Sequence, residues 1–289
     1  MSLSQVRVPL TRAQAHALVD AVMEHEGLAV TASAHEDEST GQWVFEATCT
    51  EAPDLDSFNE VARATLGGAV QFAIERIDPG VDWVAKSLEG LKPVSAGGFY
   101  VHGSHDAAPP PAGQTAILIE AAQAFGTGHH ETTTGCLEAI DRILKRKKVR
   151  RPLDVGTGTG VLAIAIAKRL KLPVIAGDID PVAVTTAAAN AKQNAVGSLV
   201  IAVEATGVDH RTIAQRAPYD LIVANILSEP LAALAPAMAR VAAHGASLVL
   251  SGILNVQAQR VIAAYAAQGA VLRERIVRGD WTTLILEKK

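Results

Sequence analysis

The residues of this sequence that could do chemistry are carboxylates, glycines and one amide, each standing at the end of a short apolar run in its second half. Asp154-Val-Gly156-Thr-Gly158-Thr-Gly160 closes one such run and opens residues 161–170, which have the composition of a helix. Glycine lets a backbone turn sharply and come close to a ligand, and the first turn of a helix presents unpaired N–H groups. A pyrophosphate loop of the G-x-G-x-x-G type would need glycine at 161, where Val161 stands, so dinucleotide binding is disfavoured.

The next apolar run closes on Ala176-Gly177-Asp178-Ile-Asp180-Pro181. Ligands of open α/β sheets bind outside the carboxyl ends of the strands, and an acid there can accept both hydroxyls of a ribose. Asp178 is the candidate for that role. Asp180 also reads as the N-cap of a helix that begins at Pro181. A further run closes on Ala224-Asn225-Ile226-Leu227; alone, Asn225 reads equally well as a turn-forming residue. Three polar groups ending three successive strands are hard to explain as three unrelated turns. Upstream stands Phe125-Gly126-Thr127-Gly128-His129-His130-Glu131-Thr132-Thr133-Thr134, dense in hydroxyls and imidazoles.

These groups need a scaffold, and the pattern supplies one. From residue 132 onward helical segments alternate with short, continuously apolar strands at 152–155, 173–177, 219–224 and 246–250. Strands apolar on both faces and separated by helices imply a parallel sheet covered on both sides. The first eighty residues read differently, as β-α-β-β-α-β: strands at 5–10, 28–34, 43–48 and 69–77, a helix from Thr11 to about Glu24, and a second after Asp54 to about Leu66, broken by Gly67 and Gly68. That order suggests a ferredoxin-like split βαβ unit. Between them the chain is rich in Gly and Pro, with residues 106–113 the most linker-like stretch and short strands expected at 99–102 and 116–120. The expected organisation is therefore a recognition domain over 1–80, a linker with short strands over 81–124, and a doubly wound α/β domain over 125–289.

Bulk properties exclude several classes. A chain of 289 residues, 49% hydrophobic and 19% charged, has material for more than one core and is not disordered. A net charge of −4 gives no broad basic surface for nucleic acid; the one dense basic run, Lys145-Arg146-Lys147-Lys148 with Arg150 and Arg151, reads as a solvated helix end or as a docking patch for an acidic partner or RNA. Cys49 and Cys136 fall in different domains without metal-ligand spacing, so no metal is expected and a reducing cytoplasm fits. No stretch approaches the ~20 apolar residues that span a bilayer, and residues 1–10 do not read as a signal peptide.

The motifs G-T-G-x-H-x-T-T, D-x-G-x-G-x-G, G-D-I-D-P and A-N-I-L, in this order, resemble those of the bacterial ribosomal protein L11 methyltransferase family, within the class I (Rossmann-like) methyltransferases. The β-α-β-β-α-β order of the first eighty residues also matches that family's substrate-recognition domain. The resemblance implies S-adenosylmethionine as methyl donor, with contacts from Thr133, Gly156, Gly158, Asp178 and Asn225, and with Phe125 and Thr127 as neighbours in the pocket. It implies lysine side chains of L11 as acceptors, with the α-amino group as a further one, Asn225 beside the reacting amine, and a monomer needing neither membrane nor obligatory nucleic acid. Two departures are Thr159 where relatives often carry Ser, and Glu131 where Pro is frequent. One of His129 and His130 is the motif's histidine, with loop orientation and catalysis both open to it. The competing readings are a methyltransferase of the same class acting on another protein's lysine, and a non-catalytic cofactor-binding adaptor of the ribosome; an N-P-P-[YFW] motif, expected for glutamine or base methylation, is absent after residue 224.

Overall fold

Two capping side chains start the helices of the N-terminal half. The Thr11 hydroxyl accepts the N–H of Gln14, whose side chain reaches back to the Thr11 N–H, and this capping box opens α1, Arg12–Glu24. Asp54 accepts the N–H groups of Asp56 and Ser57 to open α2, Leu55–Leu66, which Gly67 closes in the left-handed conformation. The computed structural model describes residues 3–25, 27–29, 31–37, 41–49, 52–68, 70–77, 93–104, 106, 109–119 and 129–289. It divides the chain into two compact units, Met1–Lys86 and Ser87–Lys289.

In the first unit β1 (Leu3–Leu10), β2 (Thr31–Asp37), β3 (Gln42–Cys49) and β4 (Ala73–Ile77) form one sheet in the order β2-β3-β1-β4, every pair antiparallel. Val6, Val8, Phe45 and Ala47 pack with Leu18 and Val22 of α1 and Phe58 and Val61 of α2, so both helices cover the same face. The alternate residues Gln5, Arg7 and Glu46 point the other way and pair with one another, at 2.8 Å for Gln5–Glu46 and 3.0 Å for Arg7–Glu46. β2 and β4 begin later than their apolar patterns suggest. Leu28, Ala29, Val70 and Phe72 pack on this core from outside the ladder, and apolar alternation reports the burial rather than the pairing.

The second unit begins with a three-stranded sheet of β5 (Val94–Ala96), β6 (Phe99–His102) and β7 (Thr115–Leu118). The sequence reading assigns 81–124 to a linker with short strands at 99–102 and 116–120; β6 and β7 stand there, and Phe99, Val101 and Ile117 join the same core as Leu137, Ile140 and Ile164. The proline run lies in the crossover that the parallel β6–β7 pair requires.

The main sheet holds β8 (Pro152–Val155), β9 (Val174–Asp178), β10 (Val200–Glu204), β11 (Tyr219–Asn225), β12 (Ala242–Leu254), β13 (Ala270–Arg278) and β14 (Trp281–Lys288) in the order β10-β9-β8-β11-β12-β14-β13. The five strands from β10 to β12 are parallel and β14 runs antiparallel to both neighbours. Helices α3 (His129–Arg146), α4 (Val161–Leu170) and α5 (Pro181–Gln193), with the shorter α6 (Arg211–Arg216), α7 (Ser228–Ala233), α8 (Ala235–Val241) and α9 (Ala258–Ala266), complete the unit. One core joins α3 and α4 to Leu221, Val223 and Val249, and another joins Leu231, Met238 and Tyr265 to Leu153, Ile222 and Leu248. Alternate residues of the same strands thus enter two cores, and each buried Leu, Ile or Val contributes roughly 1.5–3 kcal/mol. No described helix is long and apolar enough to cross a membrane. Strand order reverses between β8 and β11, so the connections leave in opposite directions and a crevice opens beyond the carboxyl ends of those two strands.

Candidate functional site

The loop after β8 is built to hold its backbone N–H groups in fixed directions. Gly156, Gly158 and Gly160 sit at φ +70°, +53° and +83°, a region L side chains rarely adopt. The N–H groups of Gly156 and Thr157 both donate to the Gly177 carbonyl, at 2.8 and 3.0 Å, which ties the loop to the end of β9. A Cβ at Gly156 would lie 2.3 Å from Cγ2 of Ile226, whereas one at Gly158 would meet nothing within 4 Å. Gly156 is therefore a packing glycine and Gly158 faces open space, where a ligand can approach the backbone.

Asp154 anchors this loop from below. It is fully buried; its Oδ2 accepts the Thr157 hydroxyl at 2.7 Å and the Ala163 N–H at 3.1 Å, while Oδ1 has no partner. Burial pushes its pKa up to about 7, with the Asp178 charge adding to the rise and the two hydrogen bonds opposing it. Sequence reading gives Asp154 as the first letter of the motif without a role; the signal for one is an acid placed inside an apolar strand.

Asp178 ends β9, half-buried, and accepts the Gly158 N–H at 2.8 Å on Oδ2 and the Asp180 N–H at 3.1 Å on Oδ1. A carboxylate has about four acceptor positions, so about two remain for hydroxyl donors. Asp180 accepts the Val182 N–H at 2.8 Å as the cap of α5, which settles its two readings in favour of the cap.

Asn225 ends β11, also half-buried. Its Nδ2 donates to the hydroxyls of Thr132 and Thr133, at 3.3 and 3.4 Å, and Oδ1 has no partner among the described residues. Thr132 and Thr133 are themselves buried in the first turns of α3. Behind them, the Ser251 hydroxyl, on β12 opposite Asn225, donates to the Thr132 carbonyl at 3.3 Å and bonds Thr283 of β14 at 2.8 Å. The structure thus brings Thr133 to Asn225 and Gly158 to Asp178, and sets both pairs at the carboxyl ends of adjacent strands β9, β8 and β11. Thr132, the first threonine of the T-T pair in the upstream motif, and Ser251, which lies in no motif, also belong to this arrangement, and sequence assigns neither a role. Phe125 and Thr127 lie outside the described residues, as do the side chains of His129 and His130, which open α3. Among the described residues no group of His, Cys, Asp and Glu is placed to hold a metal ion.

The donor set fits a nucleoside bearing a cationic side arm. A carboxylate with spare acceptor positions suits the ribose, an open glycine suits close approach of the chain, and a threonine-held amide projects a free oxygen beyond β11.

Comparison with known proteins agrees with this geometry. The family model described as "Ribosomal protein L11 methyltransferase (PrmA)" matches residues 2–289. Curated relatives carrying the name ribosomal protein L11 methyltransferase include one from Mesorhizobium japonicum, 46% identical over 273 residues with 94% of this chain and 93% of that protein covered. Another, from Rhizobium leguminosarum, is 42% identical over 294 residues, covering 99% of this chain and all of that protein. Among solved structures, the ribosomal protein L11 methylase of Lactobacillus delbrueckii subsp. bulgaricus matches with a TM-score of 0.62 and 27% identity, over 69% of this chain and all of that one.

Proposed function

Because the chain belongs to the ribosomal protein L11 methyltransferase family, it transfers methyl groups to that ribosomal protein, and we propose that the acceptors are lysine side-chain amines and the α-amino group, taken up beside Asn225. S-adenosylmethionine, when bound, would supply an electrophilic methyl carbon on a sulfonium, open to in-line attack by a neutral amine with S-adenosylhomocysteine as the leaving group. The protein's own task is to hold the two reactants and keep water away.

Each candidate residue has a distinct part in this reading. Asp178 binds the ribose hydroxyls with its two spare acceptor positions, and the Gly156–Gly158 backbone lets the methionine portion pass close to the loop. Thr133 fixes the amide of Asn225. The observation that carries the assignment is the direction of that amide: with Nδ2 engaged by two threonine hydroxyls, the free group is an acceptor, Oδ1. An acceptor there suits an amine that must lose a proton. A lysine has a reference pKa of about 10.4, so its reactive neutral form costs about 4.6 kcal/mol at pH 7. Desolvation in the crevice and the nearby sulfonium charge both favour the neutral amine, and Asn225 Oδ1 accepts one of its remaining N–H groups.

Recognition of the protein substrate falls to the N-terminal unit, whose ferredoxin-like strand order leaves one face of its sheet without helices among the described residues. That face carries Arg7, Pro9, Asp37, Gln42 and Val44 around a shallow concavity of about 460 Å³. The active form is read as a monomer of the cytoplasm, in line with the family resemblance and with two free, buried cysteines.

Peptide mapping of L11 by mass spectrometry after incubation with the enzyme and S-adenosylmethionine tests the acceptor. Methyl groups on lysine Nζ atoms and on the α-amino group are expected. Methylation confined to other side chains would overturn the amine assignment.

A further inference from the structure

The opposite edge of the main sheet carries a second concavity that methyl transfer does not use. Arg150, Arg151 and Pro152 at the start of β8, Pro173 before β9, and Arg216 and Tyr219 flanking the start of β11 line a space of about 330 Å³. That volume lies at the lower end of the roughly 300–1,000 Å³ typical of small-ligand pockets. Ile175 contributes to an otherwise mostly polar wall.

Three arginines line this space, and none has an ion-pair partner among the described residues. Of the neighbouring basic run, Lys145 pairs with Asp141 at 2.6 Å and Lys147 with Glu287 at 2.8 Å. Asp220 is engaged by the backbone N–H groups of Arg150 and Arg151, at 2.8 and 2.9 Å, not by their side chains. Those two bonds fix the main chain of both arginines, so their side chains leave from an anchored base. A helix C-terminus attracts basic residues, which accounts for Arg216 at the last position of α6. It does not account for Arg150 and Arg151, which stand beyond the end of α3 and against the strand edge.

We propose that this concavity is a binding site for a phosphate group, held by Arg150, Arg151 and Arg216. Guanidinium matches a phosphate through paired parallel N–H···O bonds, and a dianion relieves the mutual repulsion of the three cations. The volume admits a phosphate with a small attached group, such as a mononucleotide or the exposed phosphate of an RNA chain. Because the site lies at the amino ends of β8, β9 and β11, the methyl-transfer crevice at their carboxyl ends stays free while it is filled.

The test is NMR of the arginine Nε–H signals of the full-length protein, saturated with S-adenosylhomocysteine to fill the crevice and titrated with inorganic phosphate at low ionic strength. Saturating shifts confined to Arg150, Arg151 and Arg216 are expected. Arg151→Gln and Arg216→Gln should each weaken phosphate at least tenfold without lowering Tm or methyl transfer, since glutamine keeps the backbone N–H at 151 and touches no part of the crevice. Uridine 5′-phosphate and an eight-nucleotide RNA, titrated separately, distinguish the two sources by which binds more tightly. Shifts spread evenly over surface arginines, or affinity unchanged in both variants, would overturn the proposal.

Discussion

The four-stranded sheet of the N-terminal unit and the seven-stranded sheet of the larger unit put the same raw materials to different use. The first is antiparallel, with α1 and α2 on one face and a polar face of Gln5, Arg7 and Glu46 on the other. The second is mostly parallel and sends alternate residues into two cores, so its faces have nothing left for a ligand. Its chemistry moves to the strand ends, where the reversal between β8 and β11 opens a crevice. A one-sided sheet offers a surface for recognition, and a two-sided one offers an edge for reaction.

The comparison fails if residues at the edge prove dispensable. Asp178→Ala removes an ionised acceptor, and each hydrogen bond to a charged group contributes about 1.5–3 kcal/mol. Losing two should raise the Kd for S-adenosylhomocysteine at least about 100-fold by calorimetry; a change under threefold would remove Asp178 from the site. Asn225→Ala should lower kcat about 100-fold, the usual scale for one polar contact to a reacting centre, with a smaller loss of cofactor affinity. Unchanged turnover would rule its role out.

Two neighbouring glycines sharpen the distinction between holding the edge together and serving it. Gly156→Ala pairs a φ of +70° with a 2.3 Å approach to Ile226, and should cost about 2–3 kcal/mol in urea unfolding. Gly158→Ala meets no atom, should cost only about 1 kcal/mol of stability, and should weaken the cofactor instead. Equal stability losses in the two variants would contradict this division.

Asp154 gives the edge a pH signature of its own. Its folded pKa of about 7 lies above the ordinary carboxylate value, so the folded state binds the proton more tightly than the unfolded one. The resulting stability is fully present below about pH 4 and is lost as pH rises through 7. Asp154→Asn, which cannot titrate, should remove that decline between pH 5 and 7.5 in urea midpoints. Parallel curves for the two proteins would contradict it. The smallest effect belongs to the other sheet: Arg7→Ala should raise KM for L11 a few-fold and leave S-adenosylhomocysteine binding untouched.

Much of this was legible because local rules act locally. Thr11, Asp54 and Gly67 mark helix ends through their own hydrogen bonds and φ angles, and Gly156, Asp178 and Asn225 announce themselves by ending apolar strands. What sequence did not reveal depends on distant partners. The strand β10 is only half-buried beyond Val200, and β13, with Arg273, Glu274 and Arg275, carries charges of an edge strand instead of an apolar run. The short strands expected at 99–102 and 116–120 are present, but that they complete a core with α3 and α4 is not legible from their Gly- and Pro-rich surroundings. The Thr132–Ser251–Thr283 chain behind Asn225 joins residues over a hundred positions apart.

The most direct test of the account is transfer of labelled methyl from S-adenosylmethionine to purified L11, run in parallel with the wild-type protein, Asp178→Ala and Asn225→Ala. Label on L11 amines with the wild type, and its near-complete loss in both variants, is the expected result; a wild-type protein that binds the cofactor yet leaves L11 unlabelled, or variants that transfer at full rate, would contradict it.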